Sequence, residues 1–298
     1  MSMSRPPPDA HAADEERIYG LHAALAVFRH RRQDIRRVYV DESRVKEVGT
    51  LLRWCAKHRV AYHVVGPDNL ERVTRSTHHE GICLLARITA APSLDELLVQ
   101  LAPTGPQRLL LLEDVRDPHN VGAILRTAAH FGVSAALLVG QTAQRSAAML
   151  RTAEGGAEGV RLIPVGAIGS ALNKLVHAGY TLLATTSHTE RSLYGTPLPD
   201  RVCVMLGSER DGVSKPLMAR AEAVVAIPGT GAVESLNVAT AAAVVLAELW
   251  RQHPEPAAPI TLSATRPAAS APPAAVTIAK PRTSKGGAPR PGRRPRSS

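Results

Sequence analysis

Aromatic residues are scarce in this chain: Phe, Trp and Tyr together make up 3% of 298 residues. Proteins that grip single-stranded nucleic acid on rows of stacked rings need more of them, so that mode is excluded and the core must be aliphatic. Cysteine is sparse too. Cys55, Cys83 and Cys203 are odd in number, far apart and without a CxxC pair, which argues against a disulfide framework or a zinc site and favours a reducing compartment. His78 and His79 share one loop, but no further ligands accompany them, so no metal is expected. No uninterrupted apolar run reaches membrane-spanning length, and the first 16 residues, MSMSRPPPDAHAADEE, lack the apolar stretch of a secretory signal. The expectation is a soluble, cytoplasmic protein that binds neither membrane nor metal.

What is present is aliphatic and basic. Hydrophobic residues make up 44%, and the net charge is +10. Residues 255–298 carry eight Lys/Arg against one acid, residues 1–16 one against four, and the body 27 against 21. A moderately basic body with a strongly basic tail points to a polyanionic partner, most simply nucleic acid.

Along the chain, residues 1–16 are rich in Pro, Ala and acids and are expected to be disordered. Residues 17–88 read as a small αβαβαβ module: a helix from IYGLHAALAVFRHRR, a strand at 38–40, a helix over 44–58, a strand over 61–65, a short helix over 67–75 and a last strand over 81–86. Its basic run RHRRQDIRR, 29–37, is either a solvated face or part of a binding surface. Residues 89–104 form a helical linker bracketed by prolines. From 105 to 253 strands and helices alternate, with strands at 109–112, 135–139, 162–165, 180–185, 202–206 and 223–227, which predicts a mostly parallel sheet covered on both faces. Asp117 to Asn120 reads as a turn before a helix over 121–131, and EGGAEG at 154–159 as flexible. From Pro254 onward the Pro/Ala/Ser/Lys/Arg tail cannot bury enough surface to order itself. It is either an electrostatic tether or a solubilising tail.

The stretch IPGTGAVESLNVATAAAVVLAEL, 227–249, couples a strand end to a polar, glycine-bearing loop and then to a buried helix. Such a loop presents unpartnered backbone N–H groups to a polar ligand. Taken alone, Ser235 or Asn237 is simply the N-cap of a core helix, and GTGAVE is a poor dinucleotide fingerprint because Glu234 stands at its third glycine position. Two other strand-ending loops keep it company, EDVRDPHNVGAILR at 113–126 and GSERDG at 207–212. In a parallel sheet all three gather at one edge.

In order and spacing these three segments resemble the three motifs of the SpoU, or TrmH, family of RNA ribose 2′-O-methyltransferases in the SPOUT superfamily. The likeness covers roughly 105–250, and residues 17–88 resemble the small ribosomal-protein-like RNA-binding domain that often precedes it, with IYGLHAALAV and HHEGICLLA as its recognisable ends. The resemblance implies an α/β catalytic domain with a trefoil knot, which periodicity alone would never suggest. It also implies S-adenosylmethionine as methyl donor, ribosomal or transfer RNA as partner, and a homodimer. By the same resemblance Asn120 and Arg126 of the first motif, Glu209 of the second, and Ser235 and Asn237 of the third are catalytic, while Thr185, Gly207, Ile227 and Leu236 hold the cofactor. There are departures. Gly229 and Thr230 follow Pro228 where relatives often carry a larger apolar residue, and Glu154 stands where several have a small residue or Ser/Cys.

Methyl transfer to a ribose hydroxyl needs alignment of the oxygen and help with its proton. Arg126 is expected to orient the nucleotide and its phosphate, since a guanidinium hardly deprotonates, with phosphate or water taking the proton. Glu209 is expected to orient Arg126 through charge-assisted hydrogen bonds, and Asn120, Ser235 and Asn237 to fix ribose, loop and cofactor. Two rivals remain: a non-catalytic RNA-binding or ribosome-assembly factor on the same fold, and a small-molecule enzyme on a nucleotide-binding sheet, which the missing G-x-G-x-x-G disfavours.

Overall fold

The structure, a computed structural model, describes residues 14–102 and 104–254. The terminal segments expected to be disordered lie outside the described residues, except for Asp14 to Glu16 and Pro254.

Residues up to Arg87 fold around a four-stranded sheet of order β1-β4-β2-β3, built from β1 (Glu15–Tyr19), β2 (Ile35–Val40), β3 (Ala61–Val64) and β4 (Ile82–Arg87). β1 and β2 flank β4 antiparallel, and β3 joins β2 in parallel. Helices α1 (Leu21–Arg31) and α2 (Gly49–His58) bury Ala23, Ala24, Val27, Leu51 and Cys55 in the same apolar cluster as Ile18, Val38, Ile82 and Leu84. α3 (Pro67–Thr74) closes the other face with Leu70 against Tyr19 and Cys83. The predicted αβαβαβ order therefore gains a strand at its start. Glu15 and Glu16 are not the end of a disordered leader: they pair with Arg87 and Ala86 in the ladder, and the Glu16 carboxylate finds two arginines elsewhere in the fold.

After α4 (Leu94–Gln100), capped reciprocally by Ser93 and Glu96, a six-stranded sheet runs in the order β10-β8-β9-β5-β6-β7, every neighbouring pair parallel. Its strands are β5 (Gln107–Glu113), β6 (Ala135–Val139), β7 (Arg161–Val165), β8 (Thr181–Thr185), β9 (Arg201–Leu206) and β10 (Ala223–Val225). The run Leu109 to Leu112 shows why. Successive side chains point to opposite faces, and all four are fully buried. Leu110 and Leu112 pack with α5 (Pro118–His130) and α10 (Val238–Gln252), while Leu109 and Leu111 pack with α4 and α8 (Ile168–His177). Helices α6 (Ala147–Thr152), α7 (Gly156–Gly159) and α9 (Lys215–Met218) are short connectors. Arg108 is buried at the start of β5 and ties the helix ends together, donating to the carbonyls of Phe131, Leu249 and His253 while lying over the Trp250 ring.

Two expectations for this domain need correction. Residues 117–120 are not a turn: Asp117 caps α5, accepting from His119 N, and Pro118 occupies the first helical turn where its missing N–H costs nothing. EGGAEG, read as a flexible stretch, is packed into a tight turn and the short helix α7. A Cβ on Gly156 would sit 2.6 Å from the Leu125 carbonyl oxygen and 2.8 Å from Arg126 Cα, and one on Gly155 would sit 2.7 Å from Ala26 Cβ. The glycines are there because α5 on one side and α1 on the other leave no room for a side chain.

The same segment joins the two modules. Arg31, at the end of α1 and 4% exposed, donates to Glu158, Glu16 and the Arg87 carbonyl. Arg145, just before α6, donates to Glu16 at 2.8 Å and to Glu158. Two arginines and two glutamates thus close one network. Burial pushes the Glu158 carboxyl up, yet its bonds to Arg31 and Arg145 hold it below the ordinary carboxylate range. The basic run 29–37 accordingly divides into Arg31, buried in this network, and Arg29, His30, Arg32, Arg36 and Arg37, exposed to solvent.

Candidate active site

The three loops leave β5, β9 and β10 at the same sheet edge because all three strands run parallel. Asn120, in the first turn of α5, donates through Nδ2 to Glu209 Oε1 at 2.8 Å. Asn237 donates through Nδ2 to Asn120 Oδ1 at 3.1 Å and to the same Glu209 oxygen. Its own Oδ1 accepts from Ala239 N and Thr240 N, so it is also the N-cap of α10. The capping role and the site role belong to one side chain, whose two ends do different work. Residues 117 positions apart in the chain share one carboxylate.

The other predicted residues fall differently. Ser235 and Leu236 lie exposed on the loop before α10, beside Asn237 in sequence. Arg126 is not held by Glu209, whose Oε1 takes two amide donors. Its Nη1 instead meets Glu154 Oε1 at 2.9 Å, with the arginine side chain 60% and the glutamate 41% exposed. The expectation that Glu209 orients Arg126 is thus replaced by a different pair, because α6 and α7 lay residues 152–156 along α5. A Cβ on Gly122 would sit 2.7 Å from the Met149 carbonyl oxygen, so the helices meet at backbone distance. In the sequence Glu154 stands out only as a departure from the family pattern. The GG pair after it carries the signal, since two adjacent glycines beside an acid can mark tight packing as well as looseness. His119, next to Asn120, is occupied by Thr152 Oγ1 at 3.0 Å.

The residues expected to hold a cofactor surround the same edge. Thr185 ends β8, paired in register with Val225 of β10. Gly207 opens a closed turn: Gly212 N donates to Ser208 O at 3.0 Å, and a Cβ on Gly207 would sit 1.8 Å from the Gly212 carbonyl oxygen. From Ile227 to Leu236 no backbone group pairs with another backbone group among the described residues, and Val233 and Leu236 are exposed apolar side chains. Ala232 N donates to Thr230 Oγ1, and backbone groups without backbone partners beside aliphatic side chains leave this loop able to meet a polar ligand. Among the described residues no group of three or more His, Cys, Asp and Glu could hold a metal ion, and no helix is long and apolar enough to cross a membrane.

The described residues thus form a parallel α/β sheet whose strand-end loops converge on one carboxylate, preceded by a small mixed-sheet module. Comparison with known proteins carries this further. The profile of the SpoU rRNA Methylase family matches residues 107–247, and that of RNA 2′-O ribose methyltransferase substrate binding matches 17–90. The chain is 36% identical over 242 residues to an uncharacterized tRNA/rRNA methyltransferase of Escherichia coli O157:H7, covering 81% of this chain and 69% of the relative. It is 32% identical to the 23S rRNA (guanosine-2′-O-)-methyltransferase RlmB of Neisseria meningitidis serogroup B, covering 81% of this chain and 97% of that one. Its fold matches the SpoU methyltransferase AviRb from Streptomyces viridochromogenes in complex with AdoMet, at TM-score 0.67 and 20% identity over 82% of this chain and 92% of that one. This chain belongs to the SpoU family of RNA 2′-O-methyltransferases.

Proposed function

We propose that the protein methylates a ribose 2′-hydroxyl of ribosomal RNA, acting in the cytoplasm as a homodimer. The observation that carries this reading is the Asn120–Glu209–Asn237 triangle, which draws the three motif loops onto one point. Bound S-adenosylmethionine supplies the electrophilic methyl group. Thr185, Gly207, Ile227 and Leu236 hold it, largely through the backbone of the 207–212 and 227–237 loops. Asn120, Glu209 and Asn237 fix the loop geometry, Ser235 faces the reacting ribose, and Arg126 contacts the hydroxyl and its neighbouring phosphate.

Arg126 does not act as a base. Its guanidinium keeps its proton and orients the acceptor oxygen, and the hydroxyl proton leaves to phosphate or water. Ribosomal RNA is preferred to transfer RNA because several relatives at about a third identity are named as 23S rRNA methyltransferases and a substrate-binding module matches the residues ahead of the catalytic domain.

A trefoil knot fits the C-terminal connections. Ala226, just past β10, bonds to Arg191 and Leu193 in the loop after β8, and Gln252 and His253 at the end of α10 bond to Thr196 and Leu198 of that loop. The last segment of the catalytic domain would thread through residues 186–200. Domain limits of 15–88, 89–104 and 105–253 go with this reading, the first moved from residue 17 to the start of β1.

The test is a map of ribose methylation over total RNA with and without the protein. Loss of one ribosomal mark supports the reading, loss of a transfer-RNA mark moves the substrate, and loss of none leaves a non-catalytic RNA-binding factor. In purified protein Arg126→Ala should abolish turnover while S-adenosylmethionine binding, measured by calorimetry, stays within about twofold. Unchanged turnover in that variant would remove Arg126 from the site.

A further inference from the structure

We propose that Glu154 is the positioning residue for Arg126, and that seating of the N-terminal module sets its place. The inference rests on the reading of Arg126 as a substrate contact. Glu154 Oε1 binds Nη1 of Arg126 at 2.9 Å. A guanidinium carries five N–H groups in a rigid planar fork. With Nη1 held, the edge formed by Nε and Nη2 is left to meet a phosphate or ribose oxygen in bidentate fashion, and the long side chain does not have to find that orientation during each encounter.

Backbone strain supports the assignment. Glu154 has φ +44°, in the left-handed region that non-glycine residues other than Asn and Asp seldom enter. A glycine or asparagine would sit there more easily, so the carboxylate is kept at a conformational cost. The two glycines that follow fix the chain at this point. Gly155 lies against α1 of the N-terminal module, where an added Cβ would meet the His22 carbonyl oxygen at 3.3 Å and Ala26 closer still, while Gly156 lies against Leu125 and Arg126 in α5. Four residues after Glu154, Glu158 is locked to Arg31 and Arg145. Glu154 is therefore held between the substrate module and the catalytic helix, and its reach to Arg126 depends on both.

The experiment compares wild type with Glu154→Ala, Glu154→Gln and Arg126→Ala in full-length protein. The kcat of Glu154→Ala for RNA methylation should fall about tenfold with KM changed less than about threefold, since the loss is of orientation and not of a binding charge. Glu154→Gln, which keeps a carbonyl acceptor, should recover part of the rate. A second readout is independent of turnover: modification of Arg126 by phenylglyoxal, followed by mass spectrometry of its peptide, should quicken several-fold in Glu154→Ala because the guanidinium is freed. Unchanged kcat and unchanged labelling in Glu154→Ala, alongside an inactive Arg126→Ala, would overturn the positioning role alone. Active Arg126→Ala would instead overturn the substrate-contact reading beneath it.

Discussion

Replacing Glu158 by Gln should destabilise the protein by an amount that depends on pH in a known direction. The Glu158 side chain is 6% exposed and accepts three bonds, from Arg31 Nε at 2.6 Å, Arg31 Nη2 at 3.0 Å and Arg145 Nη2. A glutamine retains one acceptor oxygen but turns its NH2 toward an arginine, leaving Arg31 short of a counter-charge in a site that water hardly reaches. Removing one partner of a buried pair costs about 3–5 kcal/mol, with Glu16 offsetting part of it here. For a folded unit of this size each kcal/mol moves the midpoint by about 2–4 °C, so the variant should melt on the order of 10 °C lower at pH 7.5.

The sign with pH follows from the carboxyl being held below its ordinary value. Its contribution is fully present above the unfolded value of about 4.3 and is lost as pH falls through the lower folded value. Wild type and variant should therefore converge in acid. Thermal melts by circular dichroism between pH 3 and 8 make the comparison. A variant within about 2 °C of wild type at pH 7.5, or a gap that stays constant down to pH 3, would show that the network does not hold the two modules together.

Asn237→Asp keeps the α10 cap but sets a second carboxylate against Glu209; we expect methylation to fall at least about a hundredfold with a melting change under about 3 °C, and retained activity would remove the amide donor from the mechanism. Gly207→Ala forces a methyl group into the Gly212 carbonyl, so calorimetry should show S-adenosylmethionine affinity reduced about tenfold or more. The thiols of Cys55, Cys83 and Cys203 are buried, and burial pushes them up to about 11, 12 and 12. A chromogenic disulfide reagent should find none reactive at pH 8 in native protein and three in guanidinium chloride, and rapid native labelling would contradict the packing.

Much of this architecture is legible in the amino-acid sequence, for identifiable reasons. Leu109 to Leu112 and Ala135 to Val139 announce themselves because a central parallel strand is buried on both faces and leaves no polar alternation. The convergence of Asn120, Glu209 and Asn237 is legible because parallel strands place their exits together. Other features are hidden by chemistry that reads two ways. Glu16 looks like part of a solvated tail until Arg31 and Arg145, remote in sequence, supply its partners. The glycines at 155 and 156 look loose, although Gly155 packs tightly against α1 and Gly156 against the backbone of α5. For Arg126 the sequence points to an acid in a motif loop, whereas its carboxylate partner lies on the connector after α6.

That connector bears on how such proteins can be recombined. Residues 147–159 touch the N-terminal sheet module through Gly155 and Glu158 and the catalytic helix through Gly156 and Glu154. A chimera cut at the interdomain linker would thus separate a module from its socket. Exchanging substrate modules between relatives should succeed only when this short cradle travels with the incoming piece.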